Sequence, residues 1–137
     1  MEVTATAKNI RVSPNKVRLV VDQIKKMQPN DALRILDFVQ KSASLPLKKV
    51  IASAIANAKN NHNLKEENLT FTEIQVGLGQ VFKRYRPISR GRAHSILKRT
   101  SNIRVVLEAK EDKTNTPNKS DVSDKKEPKG GYSGAKS

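Results

Sequence analysis

The chain has 137 residues, a formal net charge of +14 from 27 Lys and Arg against 13 Asp and Glu, and no cysteine. This length fits one domain, the lack of cysteine excludes disulfides and thiolate metal sites, and no apolar run reaches the roughly 18 residues of a membrane-spanning helix. So strong a positive charge predicts a polyanionic partner, either nucleic acid or an anionic membrane surface.

The N-terminal part of the chain predicts one strand and two helices. Residues 2–8 alternate small or β-branched side chains, which is typical of a short strand. Ser13 followed by Pro14 predicts the start of a helix. On the outer side of this helix, Arg18 and Asp22 are spaced for an exposed ion pair. Pro29 then breaks the chain before a second helix. The apolar positions of the two helices are Val17, Val20, Val21, Ile24 and Met27, then Ala32, Leu33, Ile35, Leu36 and Val39.

A third helix and two strands follow. Ser44-Leu45-Pro46 predicts the helix start, and the opposite, small and polar face of this helix lets another backbone come close. Its apolar stripe consists of Leu47, Val50, Ile51, Ala54, Ile55 and Ala58. From Leu69 to Leu107 the apolar period changes to 2, which predicts a pair of strands. Phe71 is out of phase with Ile74, which predicts a bulge or a face switch.

Positive charge concentrates where the two strands connect, with Pro87 and Gly91 as turn residues. A run without any acid contains eight cations: Lys83, Arg84, Arg86, Arg90, Arg92, Lys98, Arg99 and Arg104. Such a run can be merely a solvated face, but here the like charges repel one another and a bound polyanion would relieve the repulsion. A two-stranded ribbon is not stable alone in water, and arms of about ten residues would project roughly 30 Å. The hairpin, residues 79–98, therefore predicts a surrounding nucleic acid.

The composition changes near Ala109. Residues 109–137 contain no Leu, Ile, Phe or Met and carry a net charge of +2, so we expect a disordered, charged tail. Residues 1–108 hold 20 basic and 8 acidic side chains, so most of the charge belongs to the folded part. The first thirty residues contain no basic-then-apolar leader, and we expect a protein that is not exported.

The residues needed for catalysis or metal binding are scattered. His62 and His94 lie 32 positions apart without carboxylates at metal-ligand spacing. Gly77 and Gly79 fall inside a strand pattern and do not form a phosphate-binding loop. We therefore expect neither an enzyme, nor a metal, nor a cofactor, nor a small-molecule substrate.

Three stretches together resemble a known family. They are Arg11–Val20, then Lys48–Val50 with Ser53–Ala58, and finally Gly91–Ala93 with Ile96–Ser101. In this order and spacing they resemble the bacterial form of the large-subunit ribosomal protein family numbered twenty-two, over residues 1–108. The resemblance implies an α+β fold, in which three helices pack on a small antiparallel sheet with one long protruding β-hairpin.

The resemblance also implies a function on the ribosome, in the cytoplasm. A member of this family is a structural constituent that binds large-subunit ribosomal RNA, aids its assembly and lines the nascent-peptide exit tunnel with its hairpin. The implied partners are this RNA, neighbouring large-subunit proteins and the nascent peptide, with no membrane. The implied tunnel tip consists of Arg86, Pro87, Ile88, Ser89, Arg90 and Gly91.

Carried onto this chain residue by residue, the resemblance implies two groups of RNA contacts. The hairpin group consists of Lys83, Arg84, Arg86, Arg90, Arg92, Lys98 and Arg99. The domain group consists of Arg11, Lys16, Arg18, Lys48 and Lys49. This chain departs from the family in having Ile88-Ser89 in place of Arg-Ala, Lys25-Lys26 in place of Arg-Gly and Asn102 in place of His.

Two other functions fit the charge. A free-standing nucleic-acid-binding protein, of nucleoid or regulatory type, would bind duplex DNA comparably well and have no stable partner particle. A peripheral membrane protein would carry apolar anchors beside its cations, and the hairpin has only scattered ones. Tyr85 in the hairpin is suited to stack on a base or to pack on Pro87.

Overall fold

The structure, a computed structural model, describes residues 1–109 and has an α+β fold, as predicted. The predicted tail, Ala109 excepted, lies outside the described residues. The elements in chain order are β1 (Glu2–Ile10), α1 (Pro14–Ile24), α2 (Pro29–Phe38), α3 (Ser44–His62), a short 3₁₀ turn (Glu66–Asn68), β2 (Leu69–Pro87) and β3 (Ala93–Ala109).

The three strands form one antiparallel sheet in the order β1-β3-β2, so β3 is central. Its Leu107 pairs with Val3 of β1 and with Phe71 of β2. The register of β2 shifts between Phe71 and Glu73, which confirms the predicted bulge. Ala109 still pairs with Leu69. The boundary between domain and tail stays a prediction.

The helices cover one face of the sheet and enclose the core. The predicted apolar stripe of α3 is buried at all six positions: Leu47, Val50, Ile51, Ala54, Ile55 and Ala58. Ile103, Val105 and Leu107 of β3 are completely buried beneath the helices. The opposite, small face of α3 is mainly exposed, and from it Asn57 donates a hydrogen bond to the Thr4 carbonyl at 3.3 Å.

The prolines at the starts of α1 and α2 lie where predicted, and α1 differs from the prediction in two details. Ser13 precedes α1 as its N-cap, but its side chain forms no capping hydrogen bond. Its backbone carbonyl accepts the first amide hydrogen bonds of the helix. Met27 does not extend the stripe of α1, which ends at Ile24, and 38% of its surface is exposed. Pro29 prevents α1 from continuing into α2, because the residue before a proline disfavours the helical region; Gln28 accordingly has a ψ of 149°.

Two neighbouring buried hydroxyls of β3 differ in their hydrogen bonding. The Thr100 hydroxyl donates to the Gln80 carbonyl at 2.6 Å. Ser101 is fully buried, and its hydroxyl has no hydrogen-bond partner within residues 1–109. A buried polar group without a partner loses its solvation without compensation.

We predict opposite effects when the two hydroxyls are removed. Ser101→Ala should raise the free energy of unfolding by about 1 kcal/mol, because it removes an uncompensated desolvation. Thr100→Val should lower it by about 1 kcal/mol, because a hydrogen bond is lost. Urea denaturation of the full chain, followed by circular dichroism, measures both. A loss of stability in Ser101→Ala would show that its hydroxyl is satisfied.

Candidate nucleic-acid interface

The outer parts of β2 and β3 form an arm that leaves the body of the domain. Pairing is regular from Val81 with Arg99 to Pro87 with Ala93, which gives a paired length of about 20 Å at ~3.4 Å per residue. This is shorter than the sequence-based value of about 30 Å, because a register shift below Val81 and the turn account for the remaining residues. Every residue from Lys83 to Arg99 is exposed. The arm therefore has no packing partner within residues 1–109.

The tip is a tight turn at the predicted place. The Ile88 amide donates to the Arg92 carbonyl at 2.8 Å. Arg90 and Gly91 have φ values of 61° and 67°, as the two central residues of a type I′ hairpin turn require. Gly91 adopts this conformation freely, whereas it costs the non-glycine Arg90 about 1 kcal/mol. Of the tip residues predicted from the resemblance, Arg86 and Pro87 end β2, and the other four form the turn.

The register divides the paired side chains of the arm between two faces, because directly opposed residues point to the same side. One face carries Phe82, Arg84, Arg86, His94, Ile96 and Lys98. The other carries Val81, Lys83, Tyr85, Ser95, Leu97 and Arg99. Predicted contact cations thus lie on both faces, and Arg90 and Arg92 add two more at the tip. Such an arm suits a polyanion that surrounds it more than one that touches a single side.

The charges of the arm are not compensated inside the domain. Within residues 1–109 the structure forms four ion pairs, all among the helices and the turn after them: Lys25–Asp22, Arg34–Asp31, Lys48–Asp37 and Lys59–Glu66. None involves a cation of the arm. Within residues 1–109, the Arg84 guanidinium lies 5.8 Å from the centre of the Phe82 ring and donates to the Lys83 carbonyl at 2.8 Å, both in its own arm. The guanidinium and ammonium groups remain available for an external anion.

The five domain cations predicted as contacts differ in their surroundings. Lys48 pairs with Asp37, so its charge is partly neutralised. Arg18 does not form the predicted pair with Asp22, which binds Lys25 at 2.8 Å instead. The Arg18 guanidinium donates to the Val76 carbonyl at 3.1 Å and thereby ties α1 to β2.

The remaining three domain cations, Arg11, Lys16 and Lys49, are exposed. Within residues 1–109 the structure assigns none of them an ion-pair partner. They are therefore better suited to an external anion than Lys48 or Arg18. Arg11 precedes α1, Lys16 lies on α1 and Lys49 lies on α3, so these cations belong to separate segments of the domain.

Side-chain hydrogen bonds that no local sequence pattern predicts fix the root of the arm, where β2 shifts register between Leu78 and Val81. Asn102 of β3 accepts from the Asn9 amide at 2.8 Å and donates to the Leu78 carbonyl at 3.2 Å, so one side chain links all three strands. Asn9, with a left-handed φ of 55°, accepts from the Gln80 amide at 3.4 Å. These bonds replace ladder bonds at the bulge and orient the arm relative to the domain.

Residues 1–109 also lack some features of other site types. They place no three His, Cys, Asp or Glu side chains where they could hold a metal ion. None of the helices described here is long and apolar enough to cross a membrane.

The packing at the root of the arm predicts different effects of alanine substitutions at two glycines of β2. A Cβ on Gly79 would lie 2.4 Å from the Thr100 hydroxyl oxygen and 3.2 Å from the Asn9 side chain, whereas a Cβ on Gly77 meets nothing closer than 4.0 Å. Gly79→Ala should therefore destabilise the domain by about 1–3 kcal/mol and loosen the root. Gly77→Ala is the matched control and should change stability by less than about 0.5 kcal/mol.

Urea denaturation measures the stability of both glycine variants, and hydrogen exchange of the Gln80 amide reports on the root itself. Faster exchange in Gly79→Ala alone is the expected result. Equal behaviour of the two variants would contradict the close packing at Gly79.

Comparison with known proteins identifies a family match that covers most of the chain. Residues 5–108 match the family described as ribosomal protein L22p/L17e. A protein of Clostridium beijerinckii named large ribosomal subunit protein uL22 is 47% identical over 107 residues, which are 78% of this chain and 96% of that protein. Proteins of the same name from Oceanobacillus iheyensis and Methylacidiphilum infernorum are 44% and 46% identical, over 82% and 83% of this chain and 99% and 100% of their own lengths.

Proposed function

The chain belongs to the ribosomal protein L22p/L17e family, and from this premise we propose how its residues carry out the family's function. As a member of the family it is a structural constituent of the large ribosomal subunit, in the cytoplasm. It binds the RNA of that subunit and lines the nascent-peptide exit tunnel with its hairpin. The observation that carries the residue-level proposal is the exposed arm with cations on both faces and no ion pair.

The arm binds by neutralising phosphates that are packed around it. Helical RNA offers side chains little access to base edges in its deep groove, so recognition depends mainly on charge and shape. Arginine dominates the contact cations of the arm, with Lys83 and Lys98 as the exceptions. Its planar guanidinium binds phosphate through two parallel hydrogen bonds and stacks on bases. Tyr85 retains 77% exposure, so its ring is open to a base even beside Pro87.

The domain supplies a second, weaker group of contacts. Arg11, Lys16 and Lys49 are exposed cations, and they bind RNA phosphates on the domain side. Lys48 contributes less, since Asp37 already neutralises part of its charge. Arg18 acts chiefly through the fold, by holding α1 against β2.

The tip meets the nascent peptide. Ile88 is 52% exposed in the turn between β2 and β3, and Arg90 and Gly91 follow it at the end of the arm. A peptide that passes the tip would encounter this apolar side chain beside the Arg90 cation. Neighbouring proteins of the large subunit complete the set of partners.

A catalytic role is not part of the proposal. The family is one of structural ribosomal proteins, and the residues of the arm serve binding. The alternative of a free-standing nucleoid or regulatory protein is disfavoured by family membership, although such a protein would share the charge.

We predict that binding of the full chain to a transcript of large-subunit RNA weakens steeply with salt. If six phosphates are neutralised, the log–log slope should be about −4 to −5. The triple variant Arg84→Gln, Arg86→Gln, Lys98→Gln removes the arginine and lysine charges from one face of the arm. It should make the slope shallower by about 2 to 3. Filter binding over a salt series measures the slope.

The control removes the same number of charges from the helical side. Lys25→Gln, Arg34→Gln, Lys59→Gln replaces cations that already pair with carboxylates, so its slope should stay within about 1 of the parent value. Equal changes in the two triple variants would contradict binding through the arm. Comparable affinity for duplex DNA would favour the free-standing alternative.

A further inference from the structure

A cleft of about 390 Å³ opens between α1 and the segment that joins α2 to α3. Its size lies within the range of about 300–1,000 Å³ that is usual for ligand sites. Helix α1 contributes Lys16, Leu19, Val20 and Gln23, and the joining segment contributes residues 40–43. The cleft lies on the helical domain, so it is separate from the exposed arm that carries most of the proposed RNA contacts.

The lining of this cleft is positive. It contains Lys16 and Lys41 and no acidic residue. Three other clefts of the described domain each include a carboxylate, from Glu66, Asp37 or Asp22. Neither Lys16 nor Lys41 belongs to any of the four ion pairs within residues 1–109. The cleft therefore favours an anionic occupant.

The segment that carries Lys41 is held in place by hydrogen bonds. The Lys41 amide donates to the Val39 carbonyl at 2.9 Å, and the Ser44 amide donates to the Lys41 carbonyl at 3.0 Å. The Ser44 hydroxyl adds a bond to the Val39 carbonyl at 2.8 Å. Because these bonds order the backbone in advance, binding there costs less conformational entropy.

The lining of the cleft combines apolar and polar side chains. Leu19 is 68% exposed although it lies on a packed helix, and the neighbouring Val20 is buried beneath. Gln23, Gln40 and Ser42 supply side-chain groups that both donate and accept hydrogen bonds. An apolar surface, adaptable polar groups and two cations match the three parts of a nucleotide, which are its base face, base edge and phosphates.

We propose that this cleft receives one unstacked base of the large-subunit RNA. The base lies against Leu19, the polar side chains of the lining meet its edge, and Lys16 and Lys41 bind the flanking phosphates. This inference rests on the proposed function and adds to it a site that contacts a base. Proteins read RNA sequence mainly at such extruded bases.

A peptide fits the cleft less well than a base does. Peptides bind along an exposed sheet edge or lay a helix in an extended groove, whereas this cleft is bounded by one helix and the segment of residues 40–43. Its two lysines without an acid suit the regular charge of a nucleic-acid backbone. An acidic peptide as occupant is one outcome of the test.

The first test measures affinity of the full chain for a large-subunit RNA transcript. Leu19→Ala should weaken binding about fivefold, from the loss of roughly 40 Å² of apolar contact, without changing the salt slope. Lys41→Gln should make the slope shallower by about 1. Leu45→Ala is the matched control and should have no effect, since Leu45 is 63% exposed but lines a different cleft, beside Asp37.

Three results of this measurement separate the two proposals. Steep, salt-dependent binding by the parent chain with no effect of Leu19→Ala would overturn the cleft and leave the proposed function intact. A changed salt slope in Leu19→Ala would also overturn the proposed base contact, because an apolar contact should leave that slope unchanged. Failure of the parent chain to bind the transcript would overturn both.

The second test identifies the occupant on the assembled subunit. Leu19 is replaced by the photoreactive p-benzoylphenylalanine, the full chain is incorporated into large subunits, and the crosslink is mapped by primer extension. A crosslink to one RNA nucleotide that is not obtained from position 45 supports the proposal. A crosslink to protein alone, or none, overturns it.

Discussion

Mutual repulsion of the cations in the β2–β3 arm is the constraint on which the rest of the structure depends. From Lys83 to Arg104 the chain contains eight cations and no acid, and none of those in the arm forms an ion pair within residues 1–109. A two-stranded ribbon has no core of its own to offset this repulsion. In the proposed function, the RNA of the large subunit supplies the compensating charge.

The domain fixes the position and the direction of the arm, which RNA contacts alone do not fix. Buried side chains of α3 and β3 form part of the core between the helices and the sheet. Asn102 joins the three strands where the arm begins, and Gly79 leaves room for the Thr100 hydroxyl beside it. Small changes of angle at this root are multiplied along about 20 Å of paired strand. The hydrogen bonds of the root are therefore as relevant to function as the cations.

Local patterns allowed much of this architecture to be predicted from the sequence. The stripe of α3 follows from helical spacing, and the bulge after Phe71 follows from a break in alternation. Gly91 indicated the turn because glycine is the residue type that adopts a positive φ freely. Contacts between segments that are distant in the sequence could not be predicted, because they depend on how helices and strands align in the fold. Arg18 binds a carbonyl 58 residues away, although its own helix offered Asp22 as an apparent partner.

The central claim is that the chain is an integral part of the large subunit with its arm enclosed by RNA. Sedimentation of a lysate that contains the tagged full chain, before and after a high-salt wash, tests it most directly. We expect stoichiometric co-migration with the large subunit that survives the wash, because RNA that encloses the arm hinders its dissociation. Release by salt, or spreading over DNA-containing fractions, would contradict the claim.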